Sequence, residues 1–118
     1  MKFFLFISEI GSPIKIVLKL KGDAKAIHFS LEGTYKINSY VTNGKPSWQH
    51  VNYISKAIWC NENGIFIGTN GVSAIYSPEN TAGLLETNSW AYYNGSELIF
   101  SSDISLEKGN KCIINFNQ

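Results

Sequence analysis

The chain has 118 residues, ten of them basic and nine acidic, for a formal net charge of +1. A chain of this length is expected to be a single β domain spanning 1–118, burying roughly two-thirds of its unfolded surface without metal or disulfide staples. Hydrophobic residues make up 44% and charged residues 16%, the reverse of the balance that keeps a chain disordered. The near-zero net charge removes the electrostatic case for nucleic acid or an anionic membrane as a partner.

The first apolar run, residues 3–7, stops at Glu9 with no small-residue cleavage site close behind. It is therefore read as a strand apolar on both faces rather than as a leader. No run reaches the ~20 apolar residues of a membrane-spanning helix. After Glu9-Ile-Gly-Ser-Pro13, the segment 14–20 alternates with period two. Ile14, Ile16, Leu18 and Leu20 fall on one face and Lys15 and Lys19 on the other. Such a pattern predicts a half-buried strand pairing antiparallel with 2–8, its lysines decorating a solvent face or guarding a sheet edge. Lys21-Gly-Asp23 reads as a turn, and 26–31 and 34–41 read as strands parted at Gly33.

Four Asn-Gly pairs follow: Asn43-Gly44, Asn63-Gly64, Asn70-Gly71 and Asn94-Gly95. Asn tolerates positive φ and Gly adopts it at little cost, so the pair suits the type I′ turn of a tight hairpin. Asn63-Gly64 separates the apolar runs 57–60 and 65–67, and Asn94-Gly95 separates 90–93 from 97–100. Both predict hairpins. Residues 78–89 lack alternation and suit a loop or one helical turn around Leu84 and Leu85. Lys108-Gly-Asn110 leads into a last strand, 111–116. No stretch sustains a helical period over a normal helix length. The expected fold is all-β, an antiparallel two-sheet sandwich or barrel of about 9–11 short strands joined by Asn-Gly hairpins.

The sequence carries no recognisable catalytic motif. His28, His50, Asp23, Asp103 and Cys60 supply the residue types of a catalytic triad without its signatures, and no Gly-x-Ser-x-Gly elbow or phosphate loop occurs. None of the acidic residues is marked as half of a glycosidase pair. Cys60 and Cys112 lack zinc-ligand spacing. Cys112 alternates with Ile114 and Phe116, which suits a buried thiol, with a disulfide to Cys60 as the alternative. Asp103 and Glu107 lack the spacing of an EF-hand loop. Neither a cofactor nor a metal ion is expected, and the protein is expected not to be an enzyme. His50 follows Trp48 by two and would share its strand face, either in a small polar–aromatic cluster near Asn43 or as a surface imidazole at a strand end.

Five elements fall in a suggestive order: Gly33-Thr-Tyr35, Asn43-Gly-Lys-Pro-Ser-Trp48, Ala57-Ile-Trp59, Ile65-Phe-Ile-Gly68 and Trp90-Ala-Tyr-Tyr-Asn-Gly95. Residues 33–104 thereby resemble a small β module that recurs in proteins of ciliates, algae and marine invertebrates. Its pattern runs Gly-x-Tyr, Asn-Gly-x-Pro-x-Trp, Trp-x-Ile-Gly and Trp-x-Tyr. Phe66 stands where the module has Trp, and the first 30 residues lie outside the pattern. The module has no established biochemical activity. Its occurrence beside extracellular modules implies adhesion or ligand binding, and an extracellular setting that conflicts with the missing leader. The compartment and oligomeric state stay open.

Trp48, Trp59 and Trp90 are expected in an inter-sheet core, or alternatively as an exposed platform for sugar rings or apolar groups of a partner. The expected function is a non-enzymatic binding or interaction module whose partner, protein or glycan, is undetermined, with a lectin-like, carbohydrate-binding domain using exposed aromatics and Asn side chains as the alternative. The candidate ligand-binding residues are Asn43, Trp48, His50, Trp90, Tyr92 and Asn94.

Overall fold

A computed structural model of the chain describes residues 14–38, 46–78 and 89–109. The expected strands at 2–8 and 111–116, Cys112, Asn43-Gly44 and most of the segment 78–89 lie outside these residues.

Among the described residues nine strands form one antiparallel sheet. In chain order they are β1 (Lys15–Leu20), β2 (Gly33–Ile37), β3 (Ser47–His50), β4 (Lys56–Asn61), β5 (Gly64–Thr69), β6 (Val72–Ser77), β7 (Ala91–Tyr93), β8 (Leu98–Phe100) and β9 (Ile104–Lys108). Each of the first eight pairs with its chain neighbour, and β9 returns to the far side of β1, giving the order β8-β7-β6-β5-β4-β3-β2-β1-β9. The described residues therefore form one curled sheet, a half-barrel, where a sandwich or a barrel was expected. Adjacent strands in a twisted sheet rotate by roughly 20–25°, and over nine strands that rotation coils the sheet around its own apolar face.

One helix helps to close the concave side. The segment 26–31 is not the expected strand: α1 (Gly22–His28) and a 3-10 turn (Phe29–Leu31) fill the β1–β2 connection. Ile27 and Phe29, which suggested strand alternation, are exposed, whereas Ala24 and Leu31 are buried. Asp23 in the first turn and Lys25 and His28 in the last complement the helix dipole. At one end, the Lys21 amide donates to the Asp103 carbonyl at 2.9 Å. At the other, His28 Nε2 donates to the Tyr93 carbonyl at 2.7 Å. One short helix thus reaches from the β8–β9 connection to β7, a span that a curled sheet permits.

Cross-strand register sorts the side chains into rows. The concave row Ile37–Trp48–Ile58–Ile67–Ile75–Tyr92–Ile99 crosses seven strands. With Ile16, Leu18, Leu20, Tyr35, Ile65 and Ile104 it makes the core. The period-two reading holds over 15–20, where Ile16, Leu18 and Leu20 are buried and Lys19 is exposed, but Ile14, expected on the same face, lies before the strand and is exposed. However, β1 lies between β2 and β9, so its lysines guard no edge. Among the described strands β9 is the outermost on that side, and it carries Glu107 and Lys108.

The turns differ from the expected set. Asn70-Gly71 joins Thr69 to its partner Val72, and both turn residues have positive φ, 53° and 81°, as a type I′ turn requires. At Asn63-Gly64 the paired residues are Asn61 and Gly64. The turn residues are thus Glu62 and Asn63, neither with positive φ, and the type I′ geometry does not form. Between β7 and β8 four residues, 94–97, connect the paired Tyr93 and Leu98. There Asn94 Oδ1 accepts from the Ser96 and Glu97 amides at 2.8 and 2.9 Å, so the Asn side chain shapes the loop.

Candidate functional site

The row beside the concave one faces outward. It runs Ser47–Trp59–Phe66–Tyr76–Ala91–Phe100 across β3 to β8. Its three central rings are in contact. Trp59 and Phe66 stack with centroids 5.9 Å apart at 20°, and Phe66 and Tyr76 lie 5.2 Å apart at 33°. All three are half-buried, as expected of large side chains standing on a sheet and shielding one another. Tyr93 and Leu98, paired on β7 and β8, extend this face. With Phe100 they are 44%, 47% and 60% exposed. No ionisable acid or base interrupts the row. The Tyr76 hydroxyl donates to the Asn63 carbonyl at 3.3 Å, beside the β4–β5 turn.

The strands that carry this row each read as a short apolar run: Ile58-Trp59-Cys60, Ile65-Phe66-Ile67 and Ile75-Tyr76. In every run the isoleucine enters the concave core and the aromatic faces out. A continuous apolar run signals a strand apolar on both faces. That signal was legible in the sequence, but register alone decides that Trp59, Phe66 and Tyr76 meet.

The residues expected to bind ligand fall elsewhere. Trp48 and Trp90 are 1% and 2% exposed and Tyr92 is 6%, so none offers an open stacking face. The core role foreseen for tryptophan applies to Trp48 and Trp90, not to Trp59. The Trp90 indole N–H has no hydrogen-bond partner among the described residues. Asn94 is exposed at the β7–β8 loop, while Asn43 lies outside the described residues.

His50 is buried, at 4% exposure, rather than a surface imidazole. It does share a face with Trp48, and its ring lies 4.9 Å from Tyr35 and 5.1 Å from Tyr53. The Asn52 amide donates to Nδ1 at 3.0 Å and Nε2 bonds the Glu32 carbonyl at 2.9 Å. A carbonyl only accepts and an amide N–H only donates, so these contacts fit the tautomer with its proton on Nε2. Both nitrogens are consumed by backbone, which leaves no lone pair for general-base work. Gly33, at φ 134°, makes room for this ring: a Cβ there would lie 2.7 Å from Nε2. Beside it, the buried Tyr35 hydroxyl donates to the Leu31 carbonyl at 2.6 Å. Burial pushes its pKa well above the usual tyrosine range.

The remaining titratable groups are dispersed. Glu32 bonds the Leu20 amide at 2.8 Å and pairs with Lys25 at 3.4 Å. Glu107 pairs with Lys19 at 3.4 Å. Among the described residues no three His, Cys, Asp or Glu side chains gather as a metal site, and no helix is long and apolar enough to cross a membrane. Cys60 packs half-buried against the core.

No protein-family model matches the chain, and no curated protein or solved structure is significantly similar to it.

Proposed function

We propose that the protein is a non-enzymatic binding module that grips a partner protein through the outer face of β4–β8. The observation that carries this reading is the in-register row Trp59–Phe66–Tyr76, continued by the exposed Tyr93, Leu98 and Phe100. Aromatic side chains are enriched at the energetic centres of protein interfaces, because they bury large area at small entropic cost. An apolar surface of this kind loses water gladly to a partner's apolar side chains.

Sugar recognition is the less favoured alternative. A sugar ring needs an open aromatic face, and the central rings here use their faces on one another. The engagement of both His50 nitrogens supports the non-enzymatic part of the reading. The resemblance to a β module found beside extracellular domains points the same way.

The test is affinity capture with wild-type protein and with Phe66→Lys, followed by a glycan array on the same two proteins. The reading expects one discrete protein retained by wild type and lost by Phe66→Lys. Saturable glycan binding that Phe66→Lys abolishes would replace it with the lectin alternative. Retention of the same protein by both would move the contact off this face.

A further inference from the structure

A second feature of the outer face lies across β1–β3 and does not depend on the aromatic row. Lys15 and Lys36 are direct cross-strand partners, which sets their Cβ atoms roughly 5 Å apart on one face. Like charges in that position repel, by about 1 kcal/mol at ~4 Å even in water. The local acids do not relieve them, since Glu107 pairs with Lys19 and Glu32 with Lys25. Neither Lys15 nor Lys36 has an acidic partner among the described residues.

Lys15 and Lys36 line a trough of about 610 Å³, within the ~300–1,000 Å³ common for small-molecule sites. Its other walls are Ile37, Asn38, Gln49, His50 and Val51, with the Ile37 and His50 side chains turned to the concave face. Gln49 continues the lysine row, as the partner of Lys36. Asn38 Nδ2 donates to Ser47 Oγ at 2.7 Å, which fixes the amide and leaves its oxygen as an acceptor. A pair of cations, two amides and the exposed apolar Val51 form a complementary set. It matches a tetrahedral oxyanion carried on a body that has both hydroxyls and C–H surface.

We infer that this trough binds a phosphorylated or sulfated sugar. The anionic group bridges Lys15 and Lys36, and the sugar hydroxyls meet Asn38 and Gln49. A bridging oxyanion turns one repulsion into two charge-assisted attractions. The flanking amides then separate a sugar ester from the bare ion.

Titration calorimetry and side-chain amide NMR would test this with four probes: glucose 6-phosphate, glucose 6-sulfate, inorganic phosphate and glucose. Saturable binding of either ester is expected, shifting the Asn38 and Gln49 amide signals, with inorganic phosphate weaker and glucose weaker still. The two esters tell which anion the site prefers. Lys15→Ala and Lys36→Ala should each weaken ester binding by roughly tenfold or more, while Lys19→Ala on the same strand leaves it unchanged. Lys36→Gln without ligand should melt no lower than wild type, because it removes the repulsion, and should lose the ligand-induced rise in Tm. Absence of saturation up to about 10 mM, or equal losses in Lys19→Ala and Lys36→Ala, would overturn the inference. The aromatic-row proposal would stand in either case.

Discussion

Replacing Tyr35 by Phe removes one oxygen atom from the centre of the fold and keeps the ring. That oxygen donates to the Leu31 carbonyl at 2.6 Å, from a side chain with no solvent exposure. The loss therefore includes the net worth of a hydrogen bond and the cost of a buried carbonyl left unpaired, together about 2 kcal/mol. For a chain of this size that corresponds to a fall in Tm of about 8 °C. The same oxygen also sets a pH dependence. Burial raises its folded pKa above the unfolded value of about 10. The stabilisation is therefore complete below pH 10 and declines as pH rises further, because the unfolded chain releases a proton that the folded chain keeps. The slope is about 1.4 kcal/mol per pH unit while only the unfolded state ionises. Urea denaturation of wild type and Tyr35→Phe at pH 8 and pH 11 isolates this group from the titrating lysines common to both. The expected gap of about 2 kcal/mol at pH 8 should shrink by about 1.4 kcal/mol at pH 11. A gap that is absent at pH 8, or that stays constant to pH 11, would refute the assignment of this hydroxyl as a buried donor.

Other substitutions probe separate parts of the account. Trp48→Ala should cost about 3–5 kcal/mol in chemical denaturation, as a buried aromatic deletion does. Trp90→Phe should cost clearly less than Trp90→Ala, because it also discards an indole N–H with no partner among the described residues. Gly71→Ala should lose about 1–2 kcal/mol from φ alone, since nothing lies near its Cβ position. Gly33→Ala should lose more, because its Cβ would strike the His50 ring. Calorimetric melts of the two variants would rank them.

The rows explain how much of this was legible beforehand. The alternation of Ile16, Leu18 and Leu20 against Lys15 and Lys19 is a local signal, and β1 follows from it. Ile27 and Phe29 carried the same local signal falsely. Their segment is helical because Ala24 and Leu31 anchor it to the core while the helix ends are held by Asp103 and Tyr93, both far away in sequence. The strand β9, Ile104–Lys108, has only Ile104 and Leu106 turned inward, too little pattern to announce itself. Asn-Gly signalled turns, but which residues become the turn depends on register. At Gly64 the glycine opens a strand, whereas at Gly71 it completes the reversal.

The candidate sites were less readable than the fold. Large aromatics are conspicuous in a sequence, yet whether Trp48 or Trp59 meets solvent rests on a one-residue phase between strands. The choice of Trp48, Trp90 and Tyr92 took the concave phase, and the convex phase carries the exposed row. Lys15 was legible only as one of the lysines on the outer face of the 14–20 strand. Its partner Lys36 comes from the next strand, so the pair exists only through the β1–β2 register.

We propose the outer face of β4–β8 as the surface a partner protein occupies. Its most direct measurement places a photo-crosslinking phenylalanine analogue at position 66, and in a second protein at Ile54, which is 83% exposed and outside the row. Irradiation in a lysate of the native source, followed by mass spectrometry, should give one discrete protein adduct from position 66 and none from position 54. The adduct should disappear when Tyr76→Lys is added. An adduct from position 54 alone, or one from position 66 that survives Tyr76→Lys, would contradict the claim.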